Sequence, residues 1–319
     1  MDKFQSDDLM DGKILTLAGG VGGSKLVLGL ANIIDKNNLQ IIVNTGDDDL
    51  FHGLHVSPDL DTVMYTLAGL ANPETGWGMA HETFNLLDML KRYQAETWFN
   101  LGDHDLATHI RRTQLLRDGK SLSEVTLELC SSIGIGYQIA PMSDQKVTTV
   151  LETSTGTLRM QEYFVKHQCQ PIVNEVEYVG SETAEPSRAF DESLNGAMAT
   201  IFCPSNPFLS LGPILSIPTV KHKLSNLKNR IAVSPIIGGK AIRGPASKLM
   251  TELGYESSAA QVAYQYKGIC DVFIIAEEDV HLSPVILEMG IEPLVGPILM
   301  NTLEDKINLA EFIVSQFND

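Results

Sequence analysis

One short unit, a strand that passes through a glycine turn into a helix and then a second strand, most constrains how this chain can fold. Residues 14–18 (ILTLA) are apolar throughout, as in a buried parallel strand. GGVGG follows at 19–23, and SKLVLGLANII at 24–34 has the apolar spacing of a helix. LQIIVNT at 39–45 indicates a second buried strand. Because this order of elements opens a doubly wound sheet, the unit predicts an α/β fold.

Later apolar runs extend the predicted sheet. Residues 196–217, 230–239 and 270–279 each contain a short apolar run that ends in turn or polar residues. Such runs are typical of parallel strands whose carboxyl ends open into loops. We therefore expect a Rossmann-like doubly wound parallel sheet formed by about 13–72 and 196–319.

The middle of the chain predicts an insertion into that sheet. Residues 73–135 are mostly helical in pattern, and Ser121 and Glu124 have the spacing of a capping box. Residues 146–167 are rich in β-branched side chains around STGT, which predicts a β-hairpin. We expect one domain of 319 residues, with a helical and β-hairpin insertion at about 73–195.

Composition limits the partners and the compartment. The net charge of −17 argues against nucleic acid or an anionic membrane as partner, because both require a basic face. It leaves room for a small phosphorylated ligand. The four cysteines stand far apart, which is typical of a reducing compartment. The acidic N-terminus lacks the features of a signal peptide, and no apolar run reaches the length of a membrane span, so a cytoplasmic location is expected.

The glycine turn is the first candidate binding element. Glycines let a ligand approach the backbone, and the helix N-terminus offers free N–H groups to a phosphate. The spacing fits neither the dinucleotide-binding pattern nor the P-loop pattern. A tight turn alone needs one glycine, so four glycines in five positions favour an anion site. The candidate residues for phosphate are Gly19, Gly20, Gly22, Gly23, Ser24 and Lys25.

Five aspartates crowd the stretch NTGDDDLFHGLHVSPDLDTV, which follows the second strand. They should border the same crevice as the glycine turn, because ligands bind at the carboxyl ends of such strands. Crowded carboxylates repel each other, and a divalent cation such as Mg²⁺ removes that conflict. We expect Asp47 or Asp48, together with Asp61, to bind metal and act in catalysis. We expect Asp49 only to cap a helix or to be solvated, and Asp59 is a second candidate for that same role.

A third cluster, NLGDHDLATHIRR, places Asp103, His104, Asp105 and His109 within seven residues. Two interpretations stay open: a ligand site, or a helix start with capping aspartates and histidines on an amphipathic face. Zinc is disfavoured, because the histidines are five residues apart and lack a sulfur or a third imidazole.

Two later loops also carry polar groups. CPSNPFLSLGPIL presents Ser205, Asn206 and Ser210 among prolines, which suits a base or a ribose. SPIIGGKAIRGPASK presents Lys240 and Arg243, which suit phosphate oxygens. Either loop could instead be a structured crossover without a ligand.

Taken together, these stretches resemble the 2-phospho-L-lactate transferase family of deazaflavin coenzyme F(420) biosynthesis. The resemblance runs over nearly the whole chain, in order, through LAGGVGGSKL, NTGDDD…GLHVSPDLDTVMYTLAG, WFNLGDHDLATHI, SNPFLSLGPIL and VSPIIGGKAIRGPA. It implies a Rossmann-like fold with an insertion and a Mg²⁺-dependent phosphotransferase. The donor would be a guanosine diphosphate conjugate of lactate or enolpyruvate, and the acceptor the ribityl hydroxyl of the deazaflavin Fo. The products would be coenzyme F(420)-0, or its dehydro form, and GMP.

The resemblance also implies roles for the candidate residues. The glycine loop with Ser24 and Lys25 would hold the diphosphate, and the loop with Ser205, Asn206 and Ser210 would contact guanosine. Asp47 or Asp48 with Asp61 would hold the metal and face the acceptor. The residues implied for Fo are Asp61, Asn100, Asp103, His104 and Asp105. A homodimer is expected.

His104 departs from many relatives, which have a basic residue there. Histidine titrates near neutrality and its carboxylate neighbours favour the imidazolium, so we expect His104 to bind the acceptor as a cation. A surface histidine at a helix start is the alternative. For the whole protein, the alternative is a non-catalytic, nucleotide-sugar-binding regulator with a Rossmann-like core. A phosphatase is disfavoured, because no D-x-D-x-T pattern follows the first strand.

Overall fold

The structure, a computed structural model, describes residues 12–317. The N-terminal residues on which the absence of a signal peptide was predicted lie almost entirely outside this range. The strands are β1 (Ile14–Ala18), β2 (Leu39–Val43), β3 (Asp49–Phe51), β4 (Leu54–Val56), β5 (Gln138–Pro141), β6 (Thr148–Thr153), β7 (Gly156–Arg159), β8 (Val173–Val179), β9 (Ala199–Phe202), β10 (Arg230–Val233), β11 (Ile236–Ile237), β12 (Lys240–Ala241), β13 (Val272–Ile275) and β14 (Glu292–Val295).

The α-helices are α1 (Gly20–Ile33), α2 (Pro58–Leu67), α3 (Asn85–Arg92), α4 (Asp103–Arg117), α5 (Leu122–Ser132), α6 (Arg188–Leu194), α7 (Leu211–Ser216), α8 (Val220–Ser225), α9 (Ala246–Glu252), α10 (Ala259–Gln265), α11 (Ser283–Glu288) and α12 (Leu303–Val314). Short segments of other helix types lie at Glu162–Lys166, Ser181–Thr183 and Glu277–Leu282. Within the described range, no helix combines the length and apolar character that crossing a bilayer requires.

The predicted α/β fold with a doubly wound parallel sheet is confirmed. Seven strands lie in the order β14-β13-β10-β9-β1-β2-β5, and every neighbouring pair is parallel. From β1 the chain adds β2 and then β5 on one side, and it later adds β9, β10, β13 and β14 on the other. The strand order therefore reverses beside β1, and the crevice at such a reversal is where ligands bind in these folds.

Apolar layers cover both faces of the sheet. Along β1, Leu15 and Leu17 pack into one buried cluster, whereas Ile14 and Ala18 pack into the other, as the two-residue period of a strand requires. The second cluster includes the inner faces of α1, α2, α5 and α12. There α1 and α12 approach closely, because a Cβ on Gly29 would stand 2.1 Å from the carbonyl oxygen of Lys306.

The segment between the two halves of the sheet contains the predicted helices and hairpin. The helices α3, α4 and α5 occupy its first part, and Ser121 and Glu124 form the predicted capping box at the start of α5. Strands β6 and β7 form the predicted hairpin, and β8 joins them in a three-stranded antiparallel sheet. Strand β5, from the range predicted as insertion, instead pairs with β2 at the edge of the central sheet.

The acidic stretch is more ordered than a loop. Its middle forms a small antiparallel hairpin of β3 and β4, and α2 begins at Pro58. Proline is favoured at the first helical position, where its missing N–H costs no hydrogen bond. The first turn of α2 carries Asp59 and Asp61, which are both buried and line the same cavity as Asp47.

Candidate active site

A cavity of about 470 Å³ lies at the carboxyl ends of the central strands. It gathers groups from all five predicted stretches, at the point where the strand order reverses beside β1. Candidate residues in its wall are Gly19, Gly20, Gly22, Lys25, Asp47, Asp61, Asn100, Asp105, Ser205, Asn206, Ser210 and Arg243. Candidate residues outside the wall are Gly23, Ser24, Asp48, Asp103, His104 and Lys240.

The glycines of the first loop allow close approach by other loops. Helix α1 begins at Gly20, whose φ of +63° is a conformation that glycine adopts without strain. A Cβ on Gly22 would stand 2.3 Å from the carbonyl oxygen of Pro204, and one on Gly19 would stand 2.7 Å from Asp59 Oδ2. The N-cap residue, Gly19, has no side chain to cap α1, but the backbone N–H of Gly20 donates to the Asp59 carboxylate and that of Gly19 donates to Ser205 Oγ. The other N–H groups of the first turn can meet an anion in the cavity.

Asn44 holds two buried carboxylates at the cavity. Its Nδ2 donates to Asp47 Oδ1 at 3.1 Å and to Asp59 Oδ2 at 2.9 Å. Gln161 Nε2 donates to the other oxygen of Asp47 at 2.9 Å. Burial and the carboxylate of Asp59 raise the pKa of Asp47 well above its usual range, and burial raises the pKa of Asp59 to about 6. Two desolvated acids that share one donor form a site that favours a cation.

The other two members of the aspartate triplet face away from the cavity. Asp48 accepts a hydrogen bond from Ser57 Oγ at 2.7 Å, and burial raises the pKa of its carboxyl well above the usual range. Asp49 lies beyond β2 at the start of β3 and forms an ion pair with Arg159 Nη1 at 2.5 Å. Of the three, only Asp47 lines the cavity.

Asp61 is paired with a buried arginine. Both of its oxygens accept from the Arg112 guanidinium, and His109 Nδ1 lies 3.7 Å from Asp61 Oδ2. His109 Nε2 is 3.2 Å from Asp105 Oδ1, which also accepts from Tyr65 Oη at 2.6 Å. Among residues 12–317, Asp61, Asp105 and His109 are the group of three whose ligand atoms lie close enough to hold an ion.

Asp103 and His104 belong to the junction of two insertion helices. Asp103 accepts from the backbone N–H groups of Asn85 and Leu86 at the start of α3, and from Thr83 Oγ1 at 2.6 Å. These bonds, led by that of Thr83, lower the pKa of Asp103. The His104 side chain is 62% exposed and lies 3.7 Å from Glu82. The proposed role of His104 in acceptor binding stays a prediction, and the structure places this side chain outside the cavity wall.

The loop after β9 offers one buried donor without a protein partner. Ser205 Oγ donates to the carbonyl oxygen of Gly19 at 2.8 Å and thereby joins this loop to the glycine loop. Asn206 Oδ1 accepts from the N–H groups of Phe208 and Leu209, whereas its Nδ2 is buried and has no partner among the described residues. A ligand in the cavity could satisfy that amide.

The positive groups come from two segments. Lys25 Nζ donates to the carbonyl oxygen of Met300 at 2.8 Å, and burial, with Arg243 and Lys306 nearby, lowers its pKa. Arg243 Nη1 donates to the carbonyl oxygen of Thr75 at 2.7 Å. Lys240 lies on β12 and is exposed, away from the cavity. Lys25 and Arg243 are therefore the cations of the candidate set that border the ligand space.

Several important wall residues were not predicted. Asn44, Tyr65, Gln161 and an apolar region that includes Phe99 and Phe164 all line or support the cavity. Arg112, behind the wall, was also missed. A helical-spacing signal was available for it, because Asp105, His109 and Arg112 lie at positions i, i+4 and i+7 of α4 and so share one face. Gln161 gave no comparable signal, since its partner Asp47 is 114 residues away.

Residues 14–288 match the protein family described as 2-phospho-L-lactate transferase CofD. The chain belongs to this family. A 2-phospho-L-lactate transferase from Methanococcoides burtonii is 37% identical over 304 residues, covering 95% of this chain and 99% of that relative. A phosphoenolpyruvate transferase from Kitasatospora aureofaciens is 38% identical over 306 residues, covering 93% and 95%. The predicted family and its transferase activity are thus confirmed, and these CofD relatives give no support to the regulator alternative.

A solved structure supports the fold alone. A member of the UPF0052 family from Bacillus halodurans aligns with a TM-score of 0.61 at 15% sequence identity, covering 96% of this chain and 99% of the other. At that identity the match shows only that the two chains share a fold, and it carries no information on substrate.

Proposed function

We propose that this CofD-family chain transfers a phospholactyl or phosphoenolpyruvyl group from a guanosine diphosphate conjugate to the ribityl hydroxyl of the deazaflavin Fo. A bond forms between the hydroxyl oxygen and the phosphorus that carries the three-carbon acid. The bond from that phosphorus to the bridging oxygen breaks, GMP leaves with that oxygen, and the hydroxyl proton is released. The main support is that one cavity joins the N-terminus of α1, paired buried carboxylates and an aromatic wall.

The glycine loop suits the donor diphosphate. The first turn of α1 supplies N–H groups beyond the one that donates to Asp59, and Lys25 and Arg243 supply positive charge at the same wall. The unpartnered Asn206 amide suits guanine or ribose, whereas Ser205 fixes the distance between the two loops. In the reaction these groups hold the donor and stabilise the charge on departing GMP.

Mg²⁺ is proposed as the cofactor. Asp47 and Asp59 fit it best, because they are buried, share the Asn44 amide and raise each other's cost of ionisation. Mg²⁺ prefers one or two carboxylates together with phosphate oxygens. When bound, the ion would neutralise charge on the diphosphate. Asp61, expected from sequence as a ligand, already has Arg112 as its cation and is better suited to face the acceptor.

The apolar part of the cavity suits the flat deazaflavin ring. Phe99 and Phe164 line it, and Asn100 and Asp105 are polar groups in the same wall. Aromatic rings stack on such side chains, and convergent polar groups orient the ligand. We place the ribityl chain between this region and Asp61, so that its terminal hydroxyl meets the donor phosphate. A cytoplasmic homodimer remains part of the proposal, on the composition and the family resemblance.

The test is a product assay. The purified protein is incubated with Fo, Mg²⁺ and either the lactyl or the enolpyruvyl guanosine diphosphate conjugate, and the product is identified by mass. We expect the phosphodiester of Fo and an equal amount of GMP with one of the two donors. An Asp47→Asn variant serves as the inactive control. Absence of the phosphodiester with both donors would contradict the proposal.

A further inference from the structure

Arg112 is a buried cation that the insertion places next to the active-site cavity. It lies on α4, is 1% exposed, and stands behind the wall that Asp61 forms. Its two terminal nitrogens each donate to one oxygen of Asp61, with Nη1 3.0 Å from Oδ2. A two-point fork of this kind fixes the plane of the carboxylate as well as its distance.

Arg112 also fixes the proton on a neighbouring histidine. Its Nη1 lies 3.3 Å from Nδ1 of the buried His109. A guanidinium can only donate, so Nδ1 must accept and the neutral ring carries its proton on Nε2. That Nε2 lies 3.2 Å from Asp105 Oδ1 but lacks the geometry of a hydrogen bond, and Asp105 is held instead by the Tyr65 hydroxyl. Arg112 thus orders Asp61 directly and sets the tautomer of the histidine beside Asp105.

The same arrangement explains why this trio is not the best metal site. Asp61, Asp105 and His109 are close enough to share an ion. The Arg112 guanidinium, however, contacts Asp61 and His109 and occupies the place where a cation would balance their charge. A second cation beside it would be repelled.

We propose that Arg112 is a positioning residue for the acceptor half of the site, a built-in cation that holds Asp61 towards the ribityl hydroxyl. This inference rests on the proposed function, because it assumes that Fo is the acceptor. Lysine could keep the charge at this position, but it is a point donor and would leave one oxygen of Asp61 free to turn. Arg112 itself does not touch the substrate.

A double-mutant cycle tests whether Arg112 acts through Asp61. The binding of Fo and of GDP is measured by calorimetry for the wild type, Arg112→Gln, Asp61→Asn and the double variant. Arg112→Gln should weaken Fo binding by about tenfold or more while GDP binding changes by less than about twofold. In the Asp61→Asn background, Arg112→Gln should cause no further loss. Arg112→Lys should recover part of the affinity for Fo.

Arg111 provides the matched control. It is the neighbouring residue on α4, but it points outwards and pairs with Glu128 at the surface. Arg111→Gln should bind Fo as the wild type does. If Arg112→Gln fails to fold, the Asp61→Asn protein and the double variant decide, because the double variant leaves no unpaired buried charge.

The outcomes separate this inference from the proposed function. A wild-type protein that does not bind Fo would contradict the proposed function. A wild type that binds Fo, with Arg112→Gln binding equally well, would overturn the role of Arg112. So would a further loss of Fo affinity when Arg112→Gln is added to Asp61→Asn, since Arg112 would then act by another route.

Discussion

A single amide group, that of Asn44, sets the electrostatics of the proposed metal site. Its Nδ2 is within 3.2 Å of three acceptors, the carboxylates of Asp47 and Asp59 and the carbonyl oxygen of Leu209. Two hydrogens cannot fully satisfy three acceptors, so the carboxylates keep lone pairs for another partner. Asn44, which was not predicted from the sequence, is thus the residue that brings Asp47 and Asp59 together.

Asp59→Asn should therefore weaken Mg²⁺ binding by about tenfold or more, since one of two ligand charges is lost. The measurement is a Mg²⁺ titration by calorimetry in the presence of GDP. Asp88→Asn is the control, because Asp88 is an exposed partner of Lys91 far from any metal chemistry. An unchanged dissociation constant for Asp59→Asn would leave Asp59 with the capping role first expected of it.

The same carboxyl predicts a pH dependence. Burial raises the pKa of Asp59 to about 6, above the unfolded value of about 3.9. Between these values the folded state holds more protons, so the metal-free protein should lose stability as pH rises through this window. Protons compete with Mg²⁺, so metal affinity should rise with pH through the range in which Asp59 and Asp47 lose their protons. Thermal unfolding at several pH values, with and without Mg²⁺, checks both trends, and Asp59→Asn should reduce both of them, leaving the contribution of Asp47.

At the scale of elements, local patterns were predictable and edge strands were not. The unit of β1, α1 and β2 was predicted because its apolar periodicity is contained in one continuous stretch, residues 14–43. The capping box of Ser121 and Glu124 was found for the same reason. The edge strands β5 and β14 each contain a proline, which disfavours a strand by sequence but is tolerated at sheet edges.

The site was predicted in the same uneven way. The glycine loop, Asp47 and Asn206 could be found, because each directly follows a predicted strand. The pairs that join distant segments could not. Arg112 and Asp61 are 51 residues apart, and only the packing of α4 against α2 brings them together. The sequence therefore identified Asp61 as a candidate but not Arg112, the cation that already balances its charge.

The contact between α1 and α12 gives an element-scale prediction. Gly29→Ala places a methyl group 2.1 Å from a backbone oxygen of α12, so the helices must move apart. We expect a loss of about 1–3 kcal/mol in the free energy of unfolding, measured by urea denaturation. Gly196→Ala is the control, because no atom lies within 4 Å of its added methyl group and its φ is not positive. Equal stabilities for the two variants would contradict this account of the packing.

At the scale of the whole molecule, the cavity joins both halves of the central sheet. Asp47 and the glycine loop follow β2 and β1, whereas Asn206 follows β9 and Arg243 lies in the segment between β10 and β13. A donor nucleotide that spans these loops would bind only the folded state. Ligand binding of that kind stabilises the fold in proportion to the logarithm of ligand concentration.

GDP with Mg²⁺ should therefore raise the thermal midpoint. At about 100 times the dissociation constant a ligand contributes about 2.7 kcal/mol. For a chain of this size that corresponds to a rise of about 5 °C in the midpoint. Mg²⁺ alone should raise it less, because the phosphate oxygens complete the proposed coordination. Differential scanning fluorimetry measures the effect, and GMP without Mg²⁺ is the control. No shift with GDP and Mg²⁺ together would contradict a nucleotide site between the halves.

The position of β1 in the middle of the sheet has a consequence for the nascent chain during translation. One edge of β1 pairs with β2, which is synthesised soon afterwards, but the other pairs with β9, whose Phe202 is opposite Leu17. At a translation rate of about 5–20 residues per second, the nascent chain carries that open apolar edge for roughly 10–40 seconds. Exposed strand edges recruit other strands, so we expect the N-terminal half to benefit from chaperone cover until β9 has been synthesised.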